Sequence, residues 1–150
     1  MRGKIRVEVK KCLACKTCEI ECALAHSPGV TLDTLVRVRE GVYPRLQVEE
    51  RVEEAVPIRC CHCETAPCVM VCPTGALYRE ARGEPVRVRE ELCVGCGYCV
   101  VVCPYGVPQE KGRVMTKCDL CFARLEKGEL PACVAGCPTK ALRFMEIPEE

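Results

Sequence analysis

Short stretches of alternating apolar and charged residues punctuate this chain, and none grows into a long amphipathic period. Ile5, Val7 and Val9 alternate with Arg6, Glu8 and Lys10, Val86 and Val88 flank Arg87, and Leu142 and Phe144 alternate with Arg143 and Met145. A period of two sends successive side chains to opposite faces, so each stretch predicts a half-exposed strand. In residues 31–57, Val36 and Val38 and then Leu46 and Val48 predict a hairpin around Gly41-Val42-Tyr43-Pro44. Segments such as Thr74–Leu77 predict brief helical turns that run into a strand. No run reaches the roughly 18 apolar residues of a membrane span. Met1–Lys11 is charged and alternating, without the apolar centre of a signal peptide, so a cytoplasmic protein is expected.

Aromatic residues make up 4% of the chain and Trp is absent, so a large aromatic core cannot hold these short elements together. Cysteine is the outlier, at 17 of 150 residues. Disulfides are one use for so many in a small secreted protein. The missing signal peptide, the odd count and the short repeated spacings all favour a metal site instead. Four groups divide the chain. Cys12, Cys15, Cys18 and Cys22 are spaced C-x2-C-x2-C-x3-C, and Cys93, Cys96, Cys99 and Cys103 repeat that spacing. Cys60, Cys63, Cys68 and Cys72 are spaced C-x2-C-x4-C-x3-C, and Cys118, Cys121, Cys133 and Cys137 are spaced C-x2-C-x11-C-x3-C. Pro73, Pro104 and Pro138 follow the last cysteine of groups two, three and four. Cys72-Pro-Thr-Gly-Ala-Leu77 recurs as Cys137-Pro-Thr-Lys-Ala-Leu142, the mark of a duplicated unit.

C-x2-C-x2-C-x3-C-P is the bacterial ferredoxin spacing. Its first three cysteines wrap one cubane, and its fourth ligates the neighbouring cluster. The proline fixes φ and turns the chain after that ligand. Structural zinc takes two C-x2-C pairs in a tetrahedral site and has no use for the third cysteine packed between. Linker lengths pair group two with group three, which leaves groups one and four to each other. The expected ligand sets are therefore Cys12, Cys15, Cys18 with Cys137; Cys22 with Cys118, Cys121, Cys133; Cys60, Cys63, Cys68 with Cys103; and Cys72 with Cys93, Cys96, Cys99. The expected fold is α+β, two ferredoxin-like halves of short strands and helical turns organised around four iron–sulfur clusters. One polyferredoxin-type unit spans 1–150, with an inner half at 60–110 and an outer half formed by 1–30 with 111–150. The cysteine-free insertion at 31–57 is a candidate partner contact. This nesting brings Arg6–Val9 beside Leu142–Phe144.

Cys61 is left over. It competes with Cys60, but Cys60 restores C-x2-C to Cys63, so Cys61 is expected as a spare thiol. His62, in a group that already has four cysteines, is expected beside the cluster or at the surface, and His26 in a loop. Tyr98, Tyr105, Val69–Val71 and Val100–Val102 are expected to pack around the clusters. Lys10, Lys11, Arg59 and Lys117 read as solvated charges that also offset cluster charge. The formal charge is +1, which gives no reason to expect nucleic acid as a partner. Four clusters at about −2 each bring it to about −7.

Cys61-His-Cys63, Ala66-Pro-Cys68, Cys93-Val-Gly-Cys-Gly-Tyr-Cys99, Cys103-Pro-Tyr-Gly-Val-Pro-Gln109 and Lys117-Cys-Asp-Leu-Cys121 resemble the four-cluster ferredoxin-like subunits of redox complexes. These are the iron–sulfur subunits of DMSO-reductase-type molybdenum and tungsten enzymes, formate hydrogenlyase and CO dehydrogenase. The resemblance implies four 4Fe-4S clusters and no catalytic site. It also implies electron transfer between a catalytic oxidoreductase subunit (a molybdenum or tungsten enzyme, a CO dehydrogenase or a hydrogenase) and a second donor or acceptor. A small stand-alone iron–sulfur reductase and a zinc-bound interaction module are the alternatives.

Overall fold

The computed structural model describes residues 2–37 and 41–147. The chain runs β1 (Gly3–Val7), α1 (Thr17–Ala25), α2 (Leu32–Arg37), β2 (Gln47–Glu50), β3 (Ala55–Ile58), α3 (Pro67–Met70), β4 (Leu77–Tyr78), β5 (Arg87–Val88), α4 (Tyr98–Val101), β6 (Gln109–Lys111), β7 (Val114–Thr116), α5 (Phe122–Glu126), α6 (Ala132–Ala135) and β8 (Leu142–Glu146). Single 3-10 turns at Val9–Lys11 and Glu90–Leu92 lead into Cys12 and Cys93.

The strands form four separate two-stranded antiparallel sheets. β1 pairs with β8, with Ile5 opposite Phe144 and Val7 opposite Leu142, so the alternating ends of the chain meet as their pattern predicts. Gly3 makes room for this pairing: a Cβ there would lie 2.4 Å from the Phe144 ring. β4 and β5 close the hairpin between the second and third cysteine groups, with Leu77 opposite Val88. The turn before β4 is held by the Gly75 amide donating to the Cys72 carbonyl.

Among the described residues the predicted hairpin around Gly41–Pro44 is not seen. Leu32–Arg37 is helical, so Val36 sits on a helix, and Val38 lies outside the described residues. Thr31 starts that helix: its hydroxyl accepts from the Thr34 amide, a competing local bond that favours a turn of helix. The hairpin is displaced along the chain to β2 and β3, with Val48 opposite Pro57, and Arg51–Glu54 as its turn.

Two apolar clusters replace a single core. One gathers Ile5, Leu46, Val48, Ala55, Leu120, Leu125 and Leu142 with Cys18, Cys22 and Cys133, and the other Ala66, Leu77, Val86 and Met115 with Cys99. The cysteines are members of each cluster, so the apolar packing and the candidate metal loops are one structure. Helix α1 packs on α6 and α3 on α4. At the first contact a Cβ on Gly136 would meet the Glu21 side chain at 2.4 Å.

Candidate metal centres

Each cysteine loop is shaped by residues in the left-handed region, which non-glycine residues rarely occupy. Ala14 (φ 53°) and Lys16 (φ 58°) bracket Cys15, as Gly95 (φ 67°) and Gly97 (φ 74°) bracket Cys96. His62 (φ 49°) precedes Cys63, Ala66 (φ 40°) comes two residues before Cys68, and Leu120 (φ 64°) precedes Cys121, itself left-handed. Such turns curl the backbone so that several sulfurs and N–H groups face one point. The helices then repeat a rule. Cys18, Cys68, Cys99 and Cys133 are each the second residue of their helix, α1, α3, α4 and α6. The next cysteine in each case is four residues on, about 6 Å along a helix axis. In α1 that next cysteine lies inside the helix, and in α3, α4 and α6 it stands two residues past the last helical one.

Three cavities collect the cysteines from distant motifs. One is lined by Cys12, Cys15, Cys18 and Cys137. A second has Cys60, Cys61, Cys63, Cys68 and Cys103. A third has Cys72, Cys93, Cys96 and Cys99. The remaining four, Cys22, Cys118, Cys121 and Cys133, are all buried. Burial pushes the Cys118 thiol up to about 12 and raises that of Cys133 further, the latter reinforced by Cys118, Cys121 and Cys22 around it. Burial likewise takes Cys18 up to about 11. Neutral thiols in such places lose their protons only to a cation that replaces them.

The donor environment fits sulfur ligands that carry negative charge. The backbone N–H groups of His62, Leu120, Arg45 and Met115 donate to Cys60, Cys118, Cys22 and Cys93 at 3.3–3.4 Å. The Thr17 hydroxyl donates to Cys15 Sγ at 3.4 Å. Hydrogen bonds of this kind stabilise thiolate and shift cluster potentials.

Several residues that pattern and spacing assigned elsewhere take part. Lys10 and Lys11 are exposed as expected, but Arg59 and Lys117 are buried. Burial occurs because β1, the Cys60 loop and the Cys118 loop converge there and their carbonyls need donors. His26 is no loop residue but caps the end of α1. Its Nε2–H donates to Asp119 at 2.9 Å and its Nδ1–H to the Cys22 carbonyl at 2.8 Å. Burial disfavours its charge, yet the bond to Asp119 and the neighbouring sulfurs outweigh burial and raise it to about 12. Asp119 is held well below the usual carboxylate range against its own burial, because it accepts from His26 and the Cys121 amide and pairs with Arg45 at 2.9 Å. His26, Asp119 and Cys121 bring three donor atoms within 4.8 Å of one another. With both ring nitrogens engaged, that group is a brace rather than a metal site. Arg79, which no motif marks, donates to the carbonyls of His62, Cys63 and Glu64 at 2.7–2.9 Å and pins the second loop.

Tyr98 and Tyr105 line cavities with one face exposed, and Val69 packs beside Cys68. Val100 and Val101 do not cover a cavity; α4 turns them outward. Cys61 points its thiol back to the Arg59 carbonyl at 3.9 Å.

A family model of the 4Fe-4S dicluster domain matches residues 52–147. An iron–sulfur protein of Rhodospirillum rubrum is 40% identical over 150 residues, covering 91% of this chain and 78% of the relative. The thiosulfate reductase electron transfer subunit PhsB of Salmonella typhi is 40% identical over 155 residues (93% and 73%). An anaerobic dimethyl sulfoxide reductase subunit of Haemophilus influenzae is 38% identical over 152 residues (93% and 72%). With short strands and short helices in an α+β arrangement, and with a family match across most of its length, the protein belongs to the 4Fe-4S dicluster domain family.

Proposed function

We infer that this protein is a non-catalytic electron-transfer subunit that carries four 4Fe-4S clusters for a reductase complex. The observation that carries the reading is that three cavities each gather cysteines from two motifs, while the four cysteines left over from them are all buried. The sequence that does so is akin to the electron transfer subunit of a thiosulfate reductase and to a subunit of dimethyl sulfoxide reductase. The clusters supply one-electron carriers, and the protein holds them, excludes water and sets their potentials. Neither a stand-alone reductase nor a zinc module is favoured.

The ligand sets we propose are those expected from spacing. Cys12, Cys15 and Cys18 act with Cys137, and Cys22 with Cys118, Cys121 and Cys133. Cys60, Cys63 and Cys68 act with Cys103, and Cys72 with Cys93, Cys96 and Cys99. Three shared cavities and the mutual charge effects among the four buried thiols support them. The left-handed residue just before Cys15, Cys63, Cys96 and Cys121 aligns Cys60, rather than Cys61, with Cys12, Cys93 and Cys118. The proposed halves, 60–110 and 1–30 with 111–150, draw support from the β1–β8 pairing and the two apolar clusters, although Met115 packs with the inner one.

Cys15 and Cys96 are the exposed cysteines among the described residues, and exposed Leu13 and Val94 stand two residues before them. These are the proposed entry and exit points, with the other two quartets between. The partner we propose is a molybdenum or tungsten reductase subunit, and Leu32 and Val36, exposed on α2, are a proposed contact. Anaerobically purified protein is expected to hold about sixteen iron and sixteen acid-labile sulfide per chain. Eight iron with two zinc would reject at least one pair of sites.

A further inference from the structure

The two buried cations, Lys117 and Arg59, have no carboxylate partner among the described residues, and both stand where two cysteine quartets approach each other. Lys117, 3% exposed, spends its three N–H donors on the Val86 carbonyl, the Cys118 carbonyl at 2.9 Å and Cys60 Sγ at 3.6 Å. It thereby touches a cysteine of the Cys60/Cys63/Cys68/Cys103 quartet and the backbone of one in the Cys22/Cys118/Cys121/Cys133 quartet. Arg59, 9% exposed, donates to the Cys60 carbonyl at 2.7 Å and to the Ile5 carbonyl. Its Nε finds no protein acceptor.

Carbonyls satisfy hydrogen bonds but do not neutralise charge, and an uncompensated buried cation is strongly disfavoured. Sulfur is the compensating group nearest to hand. His62 is buried beside the two cations, and its Nδ1 accepts from the Val86 amide at 3.0 Å.

We propose that Lys117 and Arg59 form a buried cationic bridge between the two central clusters that makes both easier to reduce than they would be without its charge. The proposal rests on the four-cluster reading above. An electron passed into a quartet adds one negative charge there and removes one from the neighbour that gave it up. Fixed positive charge within contact of both central quartets stabilises the more negative state at either, so it raises the potentials of these two clusters. Lys117 and Arg59 are positioning residues for charge and ligate nothing.

The test is a redox titration of the purified holoprotein followed by electron paramagnetic resonance, with iron counted in every sample. Lys117→Gln keeps hydrogen-bond donors and removes the charge, whereas Lys117→Arg keeps the charge. Lys117→Gln is expected to leave iron at the wild-type count and to disfavour reduction of two of the four clusters by about tenfold or more. That is a downward shift of about 59 mV for a one-electron couple. Lys117→Arg is expected to stay within a few-fold of wild type. Unchanged potentials in Lys117→Gln, an equal displacement of all four clusters, or an equal displacement in Lys117→Arg would each overturn the bridge. Should Lys117→Gln lose clusters, Arg59→Gln and Lys117→Arg decide by the same criteria: the first must lower the same two potentials and the second must not. A wild-type iron count well below sixteen would instead reject the four-cluster reading.

Discussion

His62 takes the same left-handed conformation before Cys63 that Ala14, Gly95 and Leu120 take before the second cysteine of their own loops, so Cys61 occupies the position of Leu13, Val94 and Asp119. None of those is a sulfur donor. Cys61→Ser is therefore expected to keep the full iron count, while Cys60→Ser loses or converts one cluster. Iron analysis with spectroscopy of both variants distinguishes them, and the reverse result would move the ligand to Cys61. Proton inventory gives a second prediction at this scale. The thiols of Cys18 and Cys118, raised to about 11 and about 12 by burial, are protonated at neutral pH in the metal-free chain. Ligation needs thiolate, so assembly expels those protons and is favoured as pH rises. Reconstitution in weak buffer is expected to acidify the solution, and cluster yield is expected to increase between about pH 7 and 9.

At the level of loops and helices, Gly95 shows how little slack the metal loops have. Its φ is +67°, and a Cβ would lie 2.6 Å from the Arg113 carbonyl in the turn between β6 and β7. Gly95→Ala is expected to cost roughly 1–3 kcal/mol and to lower the melting temperature of the holoprotein. The four-residue step from each helix's cysteine to the next makes a different prediction. Cys22→Ala should damage the cluster held by Cys118, Cys121 and Cys133, and Cys137→Ala the one held by Cys12, Cys15 and Cys18. Damage confined to each residue's own motif would reject the exchange. Which cysteines share the three cavities was legible in spacing alone, because cubane geometry dictates where sulfurs must stand whatever the intervening residues are. β1, β5 and β8 were legible as well, since a half-buried strand shows a period of two. The first arm of the hairpin read in residues 31–57 was misread, though Val48 does lie on a strand: Val36 and Val38 alternate like a strand, yet Val36 is exposed, and the Thr31 hydroxyl starts a helix there. Arg59, Asp119 and Lys117 were illegible for another reason. Their burial follows from loops far apart in the chain converging, which no local pattern records.

Across the whole molecule, the insertion divides into two parts with opposite duties. Leu46, Val48 and Ala55 are buried against Ile5 and Leu142, and the Arg45 amide reaches Cys22 Sγ, so the β2–β3 portion covers the most enclosed quartet. That leaves the α2 portion, with Leu32 and Val36 exposed, as the proposed contact with another protein. Leu32→Asp combined with Val36→Asp is therefore expected to leave the iron count intact and to weaken co-purification of a catalytic subunit. Binding at full strength would assign docking to the Cys15 or Cys96 loops. The pairing of β1 with β8 reaches further than stability. A ribosome releases Cys12, Cys15 and Cys18 long before Cys137 and the strand that closes the sheet exist, whereas Cys60 through Cys103 emerge in one short interval. Vectorial synthesis thus imposes an order on maturation. On the proposed ligand sets, the inner sites are complete once Cys103 has emerged, whereas the outer ones stay open to oxygen and to stray metal until Cys137 and β8 follow.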